Sequence, residues 1–135
     1  MTLAAWHGSP LLLALTLIGD ALCVLFALFG DLTGRHRMPH LFWWILWLAQ
    51  VPLAMTVLAG IAVFAGGARP RTAYHFMYDA LIALTLLALY LLRPGGALRA
   101  RLNDRTYRES RWMLLLVLFL GGLVGRAYVT GLVGR

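Results

Sequence analysis

Four long apolar runs dominate the chain and limit what it can fold into. They cover residues 10–29, 41–65, 73–92 and 112–133. A helix of about 20 apolar residues crosses the hydrocarbon core of a bilayer, so each run is long enough to span one. Their apolar residues surround the whole helix rather than following one stripe, which argues against a soluble bundle. The sequence therefore predicts an all-α polytopic membrane protein, an antiparallel bundle of four transmembrane helices with short loops.

The composition supports this class and excludes two others. Apolar residues make up 61% of the chain and charged residues 13%, whereas soluble domains contain about 45–50% and about 25%. The chain is also too apolar to be disordered. Because the connections between the runs are too short to fold by themselves, we expect one transmembrane domain over residues 1–135 and no soluble catalytic domain.

The connection between the third and fourth runs carries two local signals. Leu98 and Leu102 lie at helical spacing among arginines, which predicts a short amphipathic helix over residues 97–105 on the lipid headgroups. Further on, Thr106 and Glu109 fit a capping box. The fourth helix is therefore expected to begin before it enters the membrane.

The distribution of arginine predicts the orientation. The net charge is +7 and every basic residue is arginine; eight lie in the first and third connections, against three in the second connection and at the C-terminus. Positively charged loops stay in the cytoplasm, so both termini are expected on the outer side of the inner (plasma) membrane. The same arginines predict binding to anionic lipid headgroups on the cytoplasmic side rather than to nucleic acid.

Three charged side chains, Asp20, Asp79 and Arg126, fall inside the apolar runs. Each costs about 2.5–3.5 kcal/mol at the centre of a span, so each is expected to have a partner. Residue counting places Asp79 and Arg126 at the same outward depth, which predicts an ion pair. Asp20 and Gln50 lie near mid-depth and complete an intramembrane polar cluster. This cluster either relays protons or ions or, as we favour, fixes the packing of the helices.

Two histidines, His7 and His75, fall near the outer ends of the first and third runs. Two neutral imidazoles on neighbouring helices can hold one haem, so haem b is a candidate cofactor. Asp79, one turn after His75, could then orient its ring. The favoured alternative is that both are interfacial residues without a ligand, because His7 precedes its helix. No Cys/His spacing predicts a zinc site.

The two most distinctive segments of the sequence, residues 74–79 and 125–131, lie in the outer half of the third and fourth runs. Both combine polar and aromatic side chains, and they would face each other in the simplest bundle. Any binding site is therefore expected there. The candidate residues are His75, Tyr74, Tyr78, Tyr128 and Thr130.

Three functions are compatible with these features. The favoured one is a non-enzymatic accessory or scaffold subunit of a membrane complex, because the chain has neither a large loop nor a catalytic motif. The second is a b-type haem protein that transfers electrons through an outer bis-histidine site. The third is a proton, ion or small-solute transport module, which would require a homo-oligomer because four helices are few. An enzyme is the least favoured, since no nucleophile–base spacing stands out.

Overall fold

The computed structural model describes residues 7–67, 73–102 and 107–132, and these residues form four long helices without a β-strand. The predicted all-α bundle of four long helices is confirmed. A single turn of 3-10 helix, Arg99–Arg101, precedes the last of them. The helices are α1 (Pro10–Leu32), α2 (His40–Ala65), α3 (Ala73–Leu92) and α4 (Glu109–Leu132).

All four helices are long and apolar enough to cross a membrane. Only 22% to 33% of the residues in their most apolar segments are buried inside the bundle, so most of the large apolar side chains lie on its outer surface. A soluble protein does not expose so large an apolar area. The chain is therefore a multi-pass membrane protein.

The start of α1 and the turn after it follow from local sequence. The Ser9 hydroxyl accepts a hydrogen bond from the backbone N–H of Leu12 at 3.4 Å, and Pro10 occupies the first turn, where its missing N–H is not needed. Gly34, with φ of 71°, follows the end of α1. A left-handed residue here lets the chain reverse towards α2 without a Cβ clash.

The helices form an antiparallel bundle in which α1 and α4 lie in the middle. α1 packs against both α2 and α4, and α3 packs against α4. α2 and α3 meet through two edge-to-face ring pairs, Trp47 with Tyr90 at 6.3 Å and Phe64 with Phe76 at 5.4 Å. We call the end where α1 and α3 begin the histidine end, and the end where α2 and α4 begin the arginine end.

Small residues let α1 approach α2 closely. A Cβ on Gly19 would collide with the Cβ of Ala49 and lie 3.1 Å from its Cα. The neighbouring positions Asp20 and Gln50 are both buried. The closest packing of α1 on α2 therefore surrounds the polar pair in the middle of the bundle.

Glu109 joins three segments at the arginine end. Its carboxylate accepts hydrogen bonds from the backbone N–H of Met38 at 3.3 Å and from the indole N–H of Trp43 at 3.2 Å. Its own backbone N–H donates to the carbonyl of His36 at 3.0 Å. α4 begins at Glu109, the acid of the predicted capping box. Its carboxylate, however, reaches the α1–α2 connection. Thr106, the other residue of the predicted box, lies outside the described residues.

A second acid, Asp31, binds arginines at the same end. Its carboxylate lies 3.3 Å from the guanidinium of Arg108 and 3.5 Å from that of Arg111, and Arg108 also donates to its backbone carbonyl at 3.1 Å. Asp31 lies in the last turn of α1, Arg108 precedes α4 and Arg111 lies in the first turn of α4. These contacts tie the two central helices together where they leave the apolar core.

The predicted interfacial helix over residues 97–105 is not formed in the described part of this segment; residues 103–106 lie outside it. Only the turn Arg99–Arg101 is helical. The reason is that the chain folds back on the end of α3, where the Leu98 N–H donates to the carbonyl of Leu91 at 3.1 Å. The guanidinium of Arg99 lies 4.8 Å from the ring centre of Tyr107.

Candidate functional site

The rings of His7 and His75 meet at the histidine end of the bundle. Their centroids are 5.6 Å apart and their planes are at 87°. Nδ1 of His7 lies 3.0 Å from the backbone carbonyl oxygen of Thr56 in α2, so it donates as Nδ1–H. Gly60 makes room for this ring, because a Cβ there would lie 2.7 Å from Cε1 of His7.

Asp79 lies one turn after His75 and contacts its ring, as the sequence predicts. Nε2 of His75 is 3.6 Å from Oδ2 of Asp79. Nδ1 of His75 is buried and makes no hydrogen bond in the described structure. Each imidazole thus has one nitrogen beside a protein oxygen, and the described residues make no hydrogen bond to the other. Metal-ligating histidines have this arrangement, in which the protein oxygen fixes the ring and its tautomer.

The chemistry of this pair suits a haem better than a free metal ion. Among the described residues, no three His, Cys, Asp or Glu side chains are grouped so that they could hold a metal ion. Zinc takes three or four protein ligands, whereas a haem iron takes only its axial ligands from the protein. Two imidazoles that bind one haem iron from opposite faces, with bonds of about 2.0–2.1 Å, have ring centroids roughly 6.3 Å apart. The observed separation of 5.6 Å is shorter, so the two rings would have to move apart to bind one iron.

The aromatic and hydroxyl residues of the predicted outer site are more scattered. Tyr74 is exposed, Tyr78 packs partly buried against the core, and Tyr128 is partly buried. The hydroxyl of Thr130 donates to carbonyls of its own helix, that of Arg126 at 2.9 Å among them. Among the described residues, none of these side chains makes a hydrogen bond or a ring contact with either histidine.

The predicted ion pair between Asp79 and Arg126 is not formed within the described residues. Asp79 contacts His75, and the side chain of Arg126 is exposed on the surface of α4. The core-facing positions around it are Val124 and Ala127. Depth counting placed both charges at one level along their helices but said nothing about rotation around the helix axis, and rotation turns Arg126 away from α3.

Asp20 and Gln50 form the second polar site, at mid-depth. Nε2 of Gln50 donates to Oδ1 of Asp20 at 2.9 Å, and the two residues are only 3% and 5% exposed. Asp20 lies ten residues beyond Pro10, the first residue of α1, which corresponds to about 15 Å along the helix. The predicted four-residue cluster is therefore split into a pair at mid-depth, an acid at the histidine end and an exposed arginine.

A cavity of about 400 Å³ adjoins this pair on the side of α1 that faces α4. Asp20 contributes its only polar side chain. Oδ2 of Asp20 and Oε1 of Gln50 are buried without a hydrogen-bond partner in the described structure. The remaining lining residues are Leu17, Ala21, Val24, Leu25, Val117, Leu118, Gly121 and Gly122.

Sequence reasoning missed the residues that hold His7. The carbonyl of Thr56 leaves no trace in a search for polar side chains, because any residue type offers a backbone carbonyl. Gly60 is a weak signal in the sequence. A glycine inside a helix destabilises it, so its presence there indicates that a neighbouring group comes close to the backbone. Gly60 lies beside His7 because α2 packs against the segment before α1, and that packing cannot be read from the sequence.

No family model, no curated protein and no solved structure matches this chain significantly. Its function is therefore argued from its own residues. Of the two polar sites, only the histidine end offers two nitrogen ligands held in a fixed relation to each other. The mid-depth pair offers a carboxyl oxygen beside an apolar cavity.

Proposed function

We propose that this chain is a membrane haem protein that transfers electrons, in which His7 and His75 would hold one haem b at the histidine end. The observation that carries the proposal is the approach of the two rings to 5.6 Å at the histidine end. The two histidines are far apart in sequence. Their close approach therefore indicates either that they share a ligand or that they pack on each other.

The neighbours of the rings would support ligation. The carbonyl of Thr56 holds His7 as the Nδ1–H tautomer, which leaves the lone pair of Nε2 for the metal. The charge of Asp79, 3.6 Å from Nε2 of His75, would make that imidazole a stronger electron donor. Haem supplies the reversible one-electron chemistry. Two protein ligands leave no open position on its iron, which favours electron transfer over oxygen binding.

We further propose that the chain lies in the plasma membrane with the arginine end in the cytoplasm. The support is the excess of arginine in the first and third connections. The histidine site would then face the outside. To test this, single cysteines are introduced as Arg37→Cys and Gly66→Cys in a Cys23→Ala background. A membrane-impermeant thiol reagent applied to intact cells should label only Cys at position 66; labelling of position 37 instead would reverse the orientation.

Absorption spectra of the purified protein test the haem. Protein from haem-supplied cells should be red, with a Soret band and one haem per chain, and His7→Ala or His75→Ala should lose most of it. His40→Ala is the matched control, because His40 is exposed at the arginine end and should leave the spectrum unchanged. A colourless wild-type protein, or equal loss in all three variants, would contradict the proposal.

An accessory subunit is the second candidate, and Arg126 favours it. This arginine is exposed on an apolar helix and forms no ion pair within the described residues, although a charge facing lipid is costly. A carboxylate of a partner subunit would remove that cost. Arg126→Leu should then release the partner from complexes purified in mild detergent, as native mass spectrometry would show. A wild-type chain that purifies alone from its own membranes would exclude this candidate.

A further inference from the structure

The cavity beside Asp20 lies between the two central helices and opens sideways. Residues on its rim, Ala21 and Leu25 of α1 and Leu118 and Gly122 of α4, are exposed. Because the apolar outer surface of the bundle faces lipid, the opening leads into the hydrocarbon core of the bilayer. A molecule dissolved in the membrane can enter it without crossing water.

The cavity holds one buried polar atom that no protein group satisfies. Asp20 is 3% exposed; its Oδ1 accepts from Gln50 at 2.9 Å, but Oδ2 has no partner in the described structure. Oδ2 lies towards Gly121 of α4, where a Cβ would be 3.9 Å away. A buried carboxyl oxygen without a hydrogen bond is costly, so a ligand that supplies one would gain affinity here.

Glycine keeps the α4 rim of the cavity open. A Cβ on Gly122 would meet no atom within 4 Å, so this position borders empty space rather than packed side chains. The volume of about 400 Å³ is within the range of small-molecule pockets. The site thus combines apolar walls, room for a ring and a single carboxyl oxygen at mid-membrane depth.

From these features we propose that the cavity binds the head group of a lipid-soluble quinol, with a ring hydroxyl donating to Oδ2 of Asp20. A quinol has a flat apolar ring, one hydroxyl that can reach the carboxylate, and a hydrocarbon tail that can leave through the lateral opening. While its carboxyl group is ionised, Asp20 accepts hydrogen bonds and donates none, and in that state it selects the hydroxyl of the reduced form. The inference concerns binding only and is independent of the haem proposal.

Binding of radiolabelled decylubiquinol to the protein in lipid nanodiscs, measured without oxygen, tests the inference. The wild type should bind saturably, one molecule per chain. Asp20→Asn should weaken binding about three- to tenfold, because an amide nitrogen in place of Oδ2 cannot accept the hydroxyl. Decylubiquinone has carbonyl groups instead of the hydroxyls. The Asp20→Asn change should therefore weaken its binding less than that of decylubiquinol.

A second variant tests the cavity without touching the polar pair. Gly122→Leu fills the open space and should abolish saturable binding. Gly125→Leu is the matched control: a Cβ there also meets no atom within 4 Å, but Gly125 does not line the cavity. All variants are compared with wild type by circular dichroism and gel filtration.

Several results would overturn the inference. They are an absence of saturable binding to wild type, equal binding by Gly122→Leu and Gly125→Leu, and equal affinity for decylbenzene, which has the tail and ring but no hydroxyl. Tighter binding of decylamine than of decylubiquinol would make the site one for cationic amphiphiles and would overturn the quinol assignment as well.

Discussion

Gln50 donates a hydrogen bond to Asp20 across 2.9 Å, between α1 and α2 in the middle of the bundle. Both side chains are buried, and the closest approach of the two helices lies beside them. A hydrogen bond between membrane helices contributes only about 0.6 kcal/mol on average, but a buried group left without its partner costs more. The pair therefore specifies how α1 and α2 pack.

The first prediction concerns this pair. Asp20→Leu and Gln50→Leu should each lower the free energy of unfolding by about 1–3 kcal/mol, because each leaves the other polar group unpaired. The double variant should cost less than the sum, with a coupling of about 0.5–2 kcal/mol. Reversible unfolding in mixed micelles measures all four proteins. Strictly additive losses would show that the two side chains do not stabilise each other.

A second prediction tests the close packing around the pair. Gly19→Ala should destabilise by about 1–3 kcal/mol, because the added Cβ collides with Ala49. Ala49→Gly in the same chain should recover part of the loss. Gly122→Ala is the control, since its Cβ enters open space. The same unfolding measurement applies, and equal stability of the Gly19 and Gly122 variants would refute the contact.

The third prediction concerns the arginine end. Glu109→Ala leaves the Met38 N–H and the Trp43 indole without their acceptor, which should cost about 2–3 kcal/mol. Glu109→Gln keeps one acceptor and should cost about half as much. Arg111→Ala serves as the control: its side chain is 57% exposed, and exposed ion pairs contribute about 0–1 kcal/mol. A Glu109→Ala loss no larger than that of Arg111→Ala would contradict this role.

Tyr107 gives a prediction on pH. Burial, with a smaller contribution from the charge of Glu109, raises the pKa of its hydroxyl to about 12, although Arg99 acts in the opposite direction. The folded state therefore holds this proton more tightly than the unfolded chain, whose tyrosine has a pKa near 10. The resulting stability is present below pH 10 and falls by about 2–3 kcal/mol as the pH rises to about 12.

Tyr107→Phe isolates this contribution. The hydroxyl is buried without a hydrogen bond in the described structure, so removing it should cost little at neutral pH. Between about pH 10 and pH 12 the variant should lose less stability than the wild type, because it has no phenol to ionise there. If the free energies of unfolding of the wild type and the variant fall by the same amount across this pH range, the pKa shift is contradicted.

The sequence predicted what depends on residue order. The four helices follow from the apolar runs. The pairing of His75 with Asp79 follows from their spacing of one turn on a single helix. Each of these relations can be read along the chain, because it needs only the helical period and the thickness of a bilayer.

Relations between helices were harder to predict. Asp79 and Arg126 have the right depth, but their rotation about the helix axes separates them. Glu109 has the sequence context of a helix cap, but the fold brings Met38 and Trp43 to its carboxylate. In both cases the partner was set by packing, which residue counting does not include.

Haem uptake by the purified protein measures whether His7 and His75 share a ligand. Apoprotein in nanodiscs is titrated with haemin and then reduced with dithionite. If His7 and His75 share a haem, uptake saturates at one haem per chain and gives the split reduced spectrum of a bis-histidine b-type haem. The His7→Ala, His75→Ala double variant shows neither the saturation nor this spectrum. Uptake that does not saturate, or that is equal in the double variant, would contradict a shared haem.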